Sequence, residues 1–107
     1  MKLKTKEKDV LKGCMQYLKL NGYVFIRNNS GAVISAYKGK NRMIRYGDKG
    51  SPDLIILGRH GEFIAVECKS DTGKLSPEQE DYRKRVLNSG GIYIVARSVD
   101  DLIEREL

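Results

Sequence analysis

Tryptophan is absent from this 107-residue sequence, histidine occurs once, and cysteine and proline occur only twice each. The two cysteines, Cys14 and Cys68, lie far apart with His60 alone between them, so neither a CxxC zinc pair nor a thiol oxidoreductase motif can form. They read as small buried hydrophobes, not as a disulfide framework. Long apolar runs are missing as well. Stretches such as Leu54–Leu57 and Ile92–Ala96 are strand-sized and fall far short of the ~20 residues that span a bilayer. The lysine-rich start, Met1 to Lys8, leads into no apolar signal segment, which predicts a cytoplasmic protein. Linkers, repeats and low-complexity tracts are also lacking, and the length suits a single domain over residues 1–107.

What is present is ample apolar material, 40% of the residues, against 32% charged, enough for a core and too regularly distributed for a disordered chain. The charge is uneven along the sequence. Residues 1–50 hold twelve basic and three acidic side chains, a net of +9, whereas residues 51–107 hold eight and eleven, a net of −3. A basic half suits a polyanionic partner, most simply nucleic acid, because each phosphate neutralised by lysine or arginine releases condensed counterions. Basic side chains that merely keep the protein soluble would look the same, and the acidic half needs an explanation of its own.

Residues 4–20 set Val10, Leu11, Cys14, Met15 and Leu18 at helical spacing with lysines opposite, and Asn21-Gly22 ends that helix. Tyr23 to Arg27 is aromatic and β-branched, hence a strand, and Asn28 to Gly31 turns the chain. Residues 32–46 alternate weakly around Lys38-Gly39-Lys40-Asn41, which predicts a ragged hairpin or a long mobile loop carrying Lys38, Lys40, Arg42 and Arg45. Leu54–Leu57 and Phe63–Val66 predict a hairpin in the centre of a sheet. Ser76 as cap, Pro77 at the first helical position and Gln79 three residues after the cap predict a helix over 77–88 that stops at Gly90-Gly91. A strand from Ile92 to Arg97 follows, and Ser98 to Asp101 is expected to cap a short last helix.

The unusual residues are charged groups set among apolar strand residues. A period of two puts Phe63, Ala65, Glu67 and Lys69 on one strand face and Ile64, Val66 and Cys68 on the other. Pro52-Asp53 opens the preceding strand, where proline is tolerated. A connecting loop of residues 58–62 pairs Leu57 with Phe63 and brings Asp53 opposite Glu67. A four-residue loop instead pairs Asp53 with Val66 and turns it away. Two carboxylates and an ammonium converging at a strand end suit a hard divalent cation such as magnesium, which takes one or two protein carboxylates. Glu67-x-Lys69 alone also describes an ordinary ion pair on a half-exposed strand.

The whole constellation runs from Gly50-Ser51-Pro52-Asp53, across thirteen residues, to Glu67-Cys68-Lys69 after a hydrophobic strand. It resembles the PD-(D/E)XK nuclease superfamily, and within it most closely the VRR-NUC domain family. The likeness continues through Leu75-Ser76-Pro77-Glu78-Gln79 and through Gly90-Gly91 followed by Ile92-Tyr93-Ile94-Val95. The resemblance implies an α/β restriction-endonuclease-like fold: a central mixed sheet with the first helix on one side and the Gln79 helix on the other. It implies that Asp53 and Glu67 ligate Mg2+, with Mn2+ also able to serve, and that the Cys68 main-chain carbonyl adds a ligand. Lys69 is then expected to position or activate the attacking water, with Gln79 beside Lys69. Glu7 joins this set both as a family match and because, at i−4 from Leu11 and i−7 from Cys14, it lies on the apolar side of the first helix. Its plainer role is a first-turn acid favoured by the helix dipole. His60, in the Gly58–Gly61 turn, reads as a solvent-facing loop residue, since HNH-type nucleases need further histidines.

The expected activity is divalent-metal-dependent hydrolysis of DNA phosphodiesters. DNA contacts are expected from Arg27, Asn29, Ser30, Lys38, Lys40, Arg42, Arg45, Lys49 and Lys74. Stand-alone family members look like junction resolvases, which points to branched DNA, to a homodimer making two symmetric nicks, and to the cytoplasm of a cell or of a phage host. A non-catalytic DNA-binding module with this fold and a sequence-specific restriction-type nuclease are the alternatives.

Overall fold

The computed structural model describes residues 5–28 and 31–107, with the backbone alone at 31–33, 35, 37, 45 and 46. Its elements run α1 (Glu7–Leu20), β1 (Val24–Arg27), β2 (Gly31–Tyr37), β3 (Lys40–Tyr46), β4 (Leu54–Leu57), β5 (Phe63–Cys68), α2 (Pro77–Asn88), β6 (Ile92–Ala96) and α3 (Asp100–Glu104). The first helix therefore starts at Glu7, with Lys6 as its cap, and residue 4 lies outside the described residues. No helix among the described residues is long and apolar enough to cross a membrane.

The central sheet has four strands in the order β1-β4-β5-β6. β1 with β4 and β4 with β5 are antiparallel, whereas β5 and β6 are parallel with α2 as their crossover, so the sheet is mixed as the sequence predicts. Leu57 pairs with Phe63, which makes the connecting loop residues 58–62 and resolves the register in favour of the longer alternative.

Strand alternation then divides two apolar layers. Leu54, Ile56, Ile64, Val66, Cys68, Ile94 and Ala96 face α1 through Val10, Cys14 and Leu18, together with Leu102 of α3. On the opposite face Ala65 and Tyr93 meet Val86 of α2, with Leu75 and Tyr82 against them. Glu67, two residues on from Ala65, belongs to the α2 face.

Residues 32–46 form a hairpin, one of the two expected alternatives, in a more regular shape, and Gly31, expected in the preceding turn, already belongs to β2. Instead of a ragged hairpin or mobile loop, β2 and β3 form an unbroken antiparallel ladder from Gly31 opposite Tyr46 to Tyr37 opposite Lys40, a sheet of its own. The connection is the two-residue turn Lys38-Gly39, with φ of 50° and 73°. Positive φ at both central positions is what a type I′ turn needs to match strand twist. Lysine rarely adopts it, so the turn type is not one that residue propensity suggests, although its place agrees with the Lys38 to Asn41 centre expected from the sequence.

α2 begins and ends where its capping pattern predicts. The Gln79 N–H donates to Ser76 Oγ at 3.2 Å, and the Ser76 N–H donates to Gln79 Oε1 at 2.9 Å. The last helix is capped otherwise than expected. Val99 is its cap residue without a side-chain bond, and Asp101 reaches back to accept the Arg97 N–H at 2.7 Å. β6 stops at Ala96, one residue before the predicted Arg97.

Candidate active site

The segment Lys49 to Asp53 is clasped from two sides. The Asn28 backbone N–H donates to the Asp53 carbonyl at 2.8 Å, and its side-chain amide donates to Ser51 Oγ at 2.8 Å and to the Pro52 carbonyl at 2.9 Å. On the other side Gly50 lies against the first turn of α2. Its φ of 84° is left-handed, and a Cβ there would stand 2.4 Å from the Glu78 carbonyl oxygen, so both conformation and space require glycine. Lys49 Nζ meets Glu78 Oε1 at 3.1 Å on the surface above. Asn28 went unmarked in the sequence, which pointed to its neighbours Arg27, Asn29 and Ser30. An amide just past a strand end was the available signal.

Asp53 is thereby delivered to β5. Its Oδ2 accepts the Cys68 N–H at 2.8 Å, which fastens the carboxylate between Glu67 and Lys69. Glu67 is 2% exposed and Lys69 8% exposed, both deeply set for charged residues. Gln79 Nε2 donates to Glu67 Oε1 at 3.1 Å, while its own Oε1 completes the helix cap. One side chain thus performs both tasks, and its partner in the site is Glu67 where the sequence placed it beside Lys69. Glu67 Oε2 has no hydrogen-bond partner among the described residues. Carboxylate oxygens of Glu7, Asp53 and Glu67 all lie within 4.8 Å of one another. Two of the three, Glu7 and Asp53, line a cleft together with Lys8 and Leu11.

Burial, and then the neighbouring Asp53 carboxylate, push the Glu67 carboxyl up to about 9, with Lys69 opposing and Glu7 adding to the rise. Three converging carboxylates, one with an unpartnered buried oxygen, are a donor set suited to a hard divalent cation. Cys68 brings its peptide to the same point through the bond to Asp53.

The remaining predicted residues are dispersed. Arg27 is exposed at the end of β1, Lys38, Lys40 and Arg42 are exposed on the β2–β3 hairpin, and Lys49 and Lys74 are exposed in the loops that flank the site. Asn29, Ser30 and the Arg45 side chain lie outside the described residues. The sequence also gave no sign of Arg97, whose Nη1 donates to the Ser70 carbonyl at 2.6 Å and ties down the loop after Lys69.

The profile of the VRR-NUC domain matches residues 6–100, nearly the whole chain and every residue of this cluster. The chain belongs to the VRR-NUC family. A solved VRR-NUC domain is similar at 27% identity with a TM-score of 0.65, over 94% of this chain and 96% of that one. No curated protein matches the sequence. The VRR-NUC fold is thus a nuclease-type domain built on the mixed sheet described above.

The raised Glu67 carboxyl makes a prediction for the metal-free protein. A group whose folded value of about 9 exceeds its ordinary 4.5 gives stability that is complete below pH 4.5 and lost as pH rises toward 9. Glu67→Gln removes that loss. In a chelator, the variant is expected to match wild type near pH 4.5 and to melt about 4 °C or more above it at the alkaline end, the change that roughly 1 kcal/mol makes in a domain this size. Parallel melting curves across that range would show that Glu67 carries no such penalty.

Proposed function

We propose that this chain is a divalent-metal-dependent DNA endonuclease that acts on branched DNA. The observation that carries this reading is the cluster of Asp53, Glu67 and Glu7, with Lys69 just past the end of β5, in a chain of the VRR-NUC family. Asp53, Glu67, the Cys68 carbonyl and Glu7 would hold Mg2+, with Mn2+ as a substitute. A cation held there supplies Lewis-acid stabilisation of the phosphate charge and acidifies water. The protein's own residues supply orientation. Lys69, the buried residue that follows β5, directs a water in line with the scissile P–O bond. Gln79 holds Glu67, and the Cys68 amide holds Asp53. The water oxygen bonds to phosphorus and gives up a proton to solvent, the P–O3′ bond breaks, and the departing O3′ takes a proton from solvent, so the products are a 5′-phosphate and a 3′-hydroxyl.

Asp53→Ala, Glu67→Ala and Lys69→Ala are each expected to lower plasmid nicking in Mg2+ by at least ~100-fold while circular dichroism stays unchanged. Full activity in any one of them would remove that residue from the mechanism.

The β2–β3 hairpin is suited to grip the DNA. Lys40 and Arg42 alternate onto one side of the ribbon, and the Ile34–Met43 pair occupies the other. Arg27, Lys49 and Lys74, with Asn29, Ser30 and Arg45, would extend the contact. Replacing Lys38, Lys40 and Arg42 together is expected to weaken binding and to flatten its salt dependence, by up to ~0.9 in log-log slope for each phosphate that is no longer neutralised. An unchanged slope would exclude the hairpin from the interface.

Two symmetric nicks in a four-way junction need two sites, and a second copy is the simplest source of the other. Val24, Ile26, Leu57 and Phe63 stand exposed on the part of the sheet that α2 leaves uncovered, an apolar surface suited to a two-fold partner. Light scattering is expected to give about twice the 12.1 kDa chain mass at micromolar concentration. A monomer that still resolves junctions by paired cuts would rule the dimer out.

A further inference from the structure

Among the described residues only two buried side-chain polar atoms lack a hydrogen-bond partner, Glu67 Oε2 and the Tyr93 hydroxyl. They share one layer. Tyr93 pairs with Ala65 in the parallel ladder of β5 and β6, and Glu67 follows Ala65 on the same face, beneath α2. The small Ala65 side chain lets the Tyr93 ring settle over the sheet, where it is 6% exposed. Phenylalanine would fill this slot and leave no hydroxyl to desolvate, so an unmatched phenol here calls for a use. Burial and the charges of Glu67, Asp53 and Glu80 push the phenol up, with Arg83 opposing, so Tyr93 stays a neutral donor.

We propose that Tyr93 is a positioning residue for Glu67: its hydroxyl donates toward Oε2 through one bridging water and fixes the carboxylate in its site-facing orientation. Gln79 already holds Oε1 from α2, so the carboxylate would be gripped at both oxygens. Partners of this kind behind a ligating carboxylate set its orientation and affinity without touching the substrate. The role rests on the metal-dependent nuclease reading given above.

Tyr93→Phe deletes one oxygen and keeps the ring. Melting in a chelator is expected to stay within about 4 °C of wild type, since only one water-mediated bond is lost. Calorimetric affinity for Ca2+, used as a cation probe, and kcat in Mg2+ are each expected to fall ~10-fold or more. KM for DNA should stay within about two-fold, because DNA binding does not pass through Tyr93. Wild-type Ca2+ affinity and kcat in the variant would overturn the positioning role while leaving the nuclease reading intact. A melting point lowered well beyond about 4 °C, with Ca2+ affinity unchanged, would also overturn it, by revealing a purely structural role for the hydroxyl. Wild-type protein that neither binds Ca2+ nor cleaves DNA would overturn both readings.

Discussion

The bond from the Cys68 amide to the Asp53 carboxylate is the contact on which the site depends. The regular β4–β5 ladder ends at Leu54 opposite Val66, and Pro52 precedes Asp53. Beyond that point a side chain replaces the main chain as acceptor for β5. The strands separate there without leaving a buried N–H unmatched, and Asp53 is fixed beside Glu67. The gap so opened is where charged groups collect. Asn28 and Gly50 serve the same end, one fastening the segment to β1 and the other letting it approach α2 closely.

That arrangement carries an electrostatic cost. A carboxylate that is 2% exposed and next to another carboxylate cannot ionise as it would in water, and Glu67 holds its proton up to about 9. Lys69 offsets this only in part. The region is poorly satisfied by its own residues: Glu67 Oε2 has no hydrogen-bond partner among the described residues. The two apolar layers on either side of the sheet supply the stability that tolerates it.

The hairpin illustrates a different economy. A two-stranded ribbon with no third strand is only marginally stable by itself, and here it presents Ile34, Met43 and Ile44 to solvent alongside its lysines and Arg42. Ile44 lies on the side of Lys40 and Arg42 and the Ile34–Met43 pair on the other, so both sides of the ribbon carry exposed apolar groups.

Periodicity and capping chemistry are local, and they were legible in the sequence. Val10, Cys14 and Leu18 marked the buried stripe of α1, Ser76-Pro77 with Gln79 set the start of α2, and alternation put Ala65, Glu67 and Lys69 on one face of β5. The motif from Asp53 to Glu67 and Lys69 pointed to the family, and the resemblance, with the place of Glu7 on the apolar side of the first helix, added Glu7 to that set. What local pattern left open was register: whether Leu57 met Phe63 decided whether Asp53 faced Glu67 or turned away, and only pairing between strands could settle it. The same holds for Asn28, Arg97 and Tyr93, whose partners Ser51, Ser70 and Ala65 lie 23, 27 and 28 residues away in sequence. The protonation of Glu67 belongs with them, because desolvation depends on everything packed around a group and not on the residues beside it in the chain.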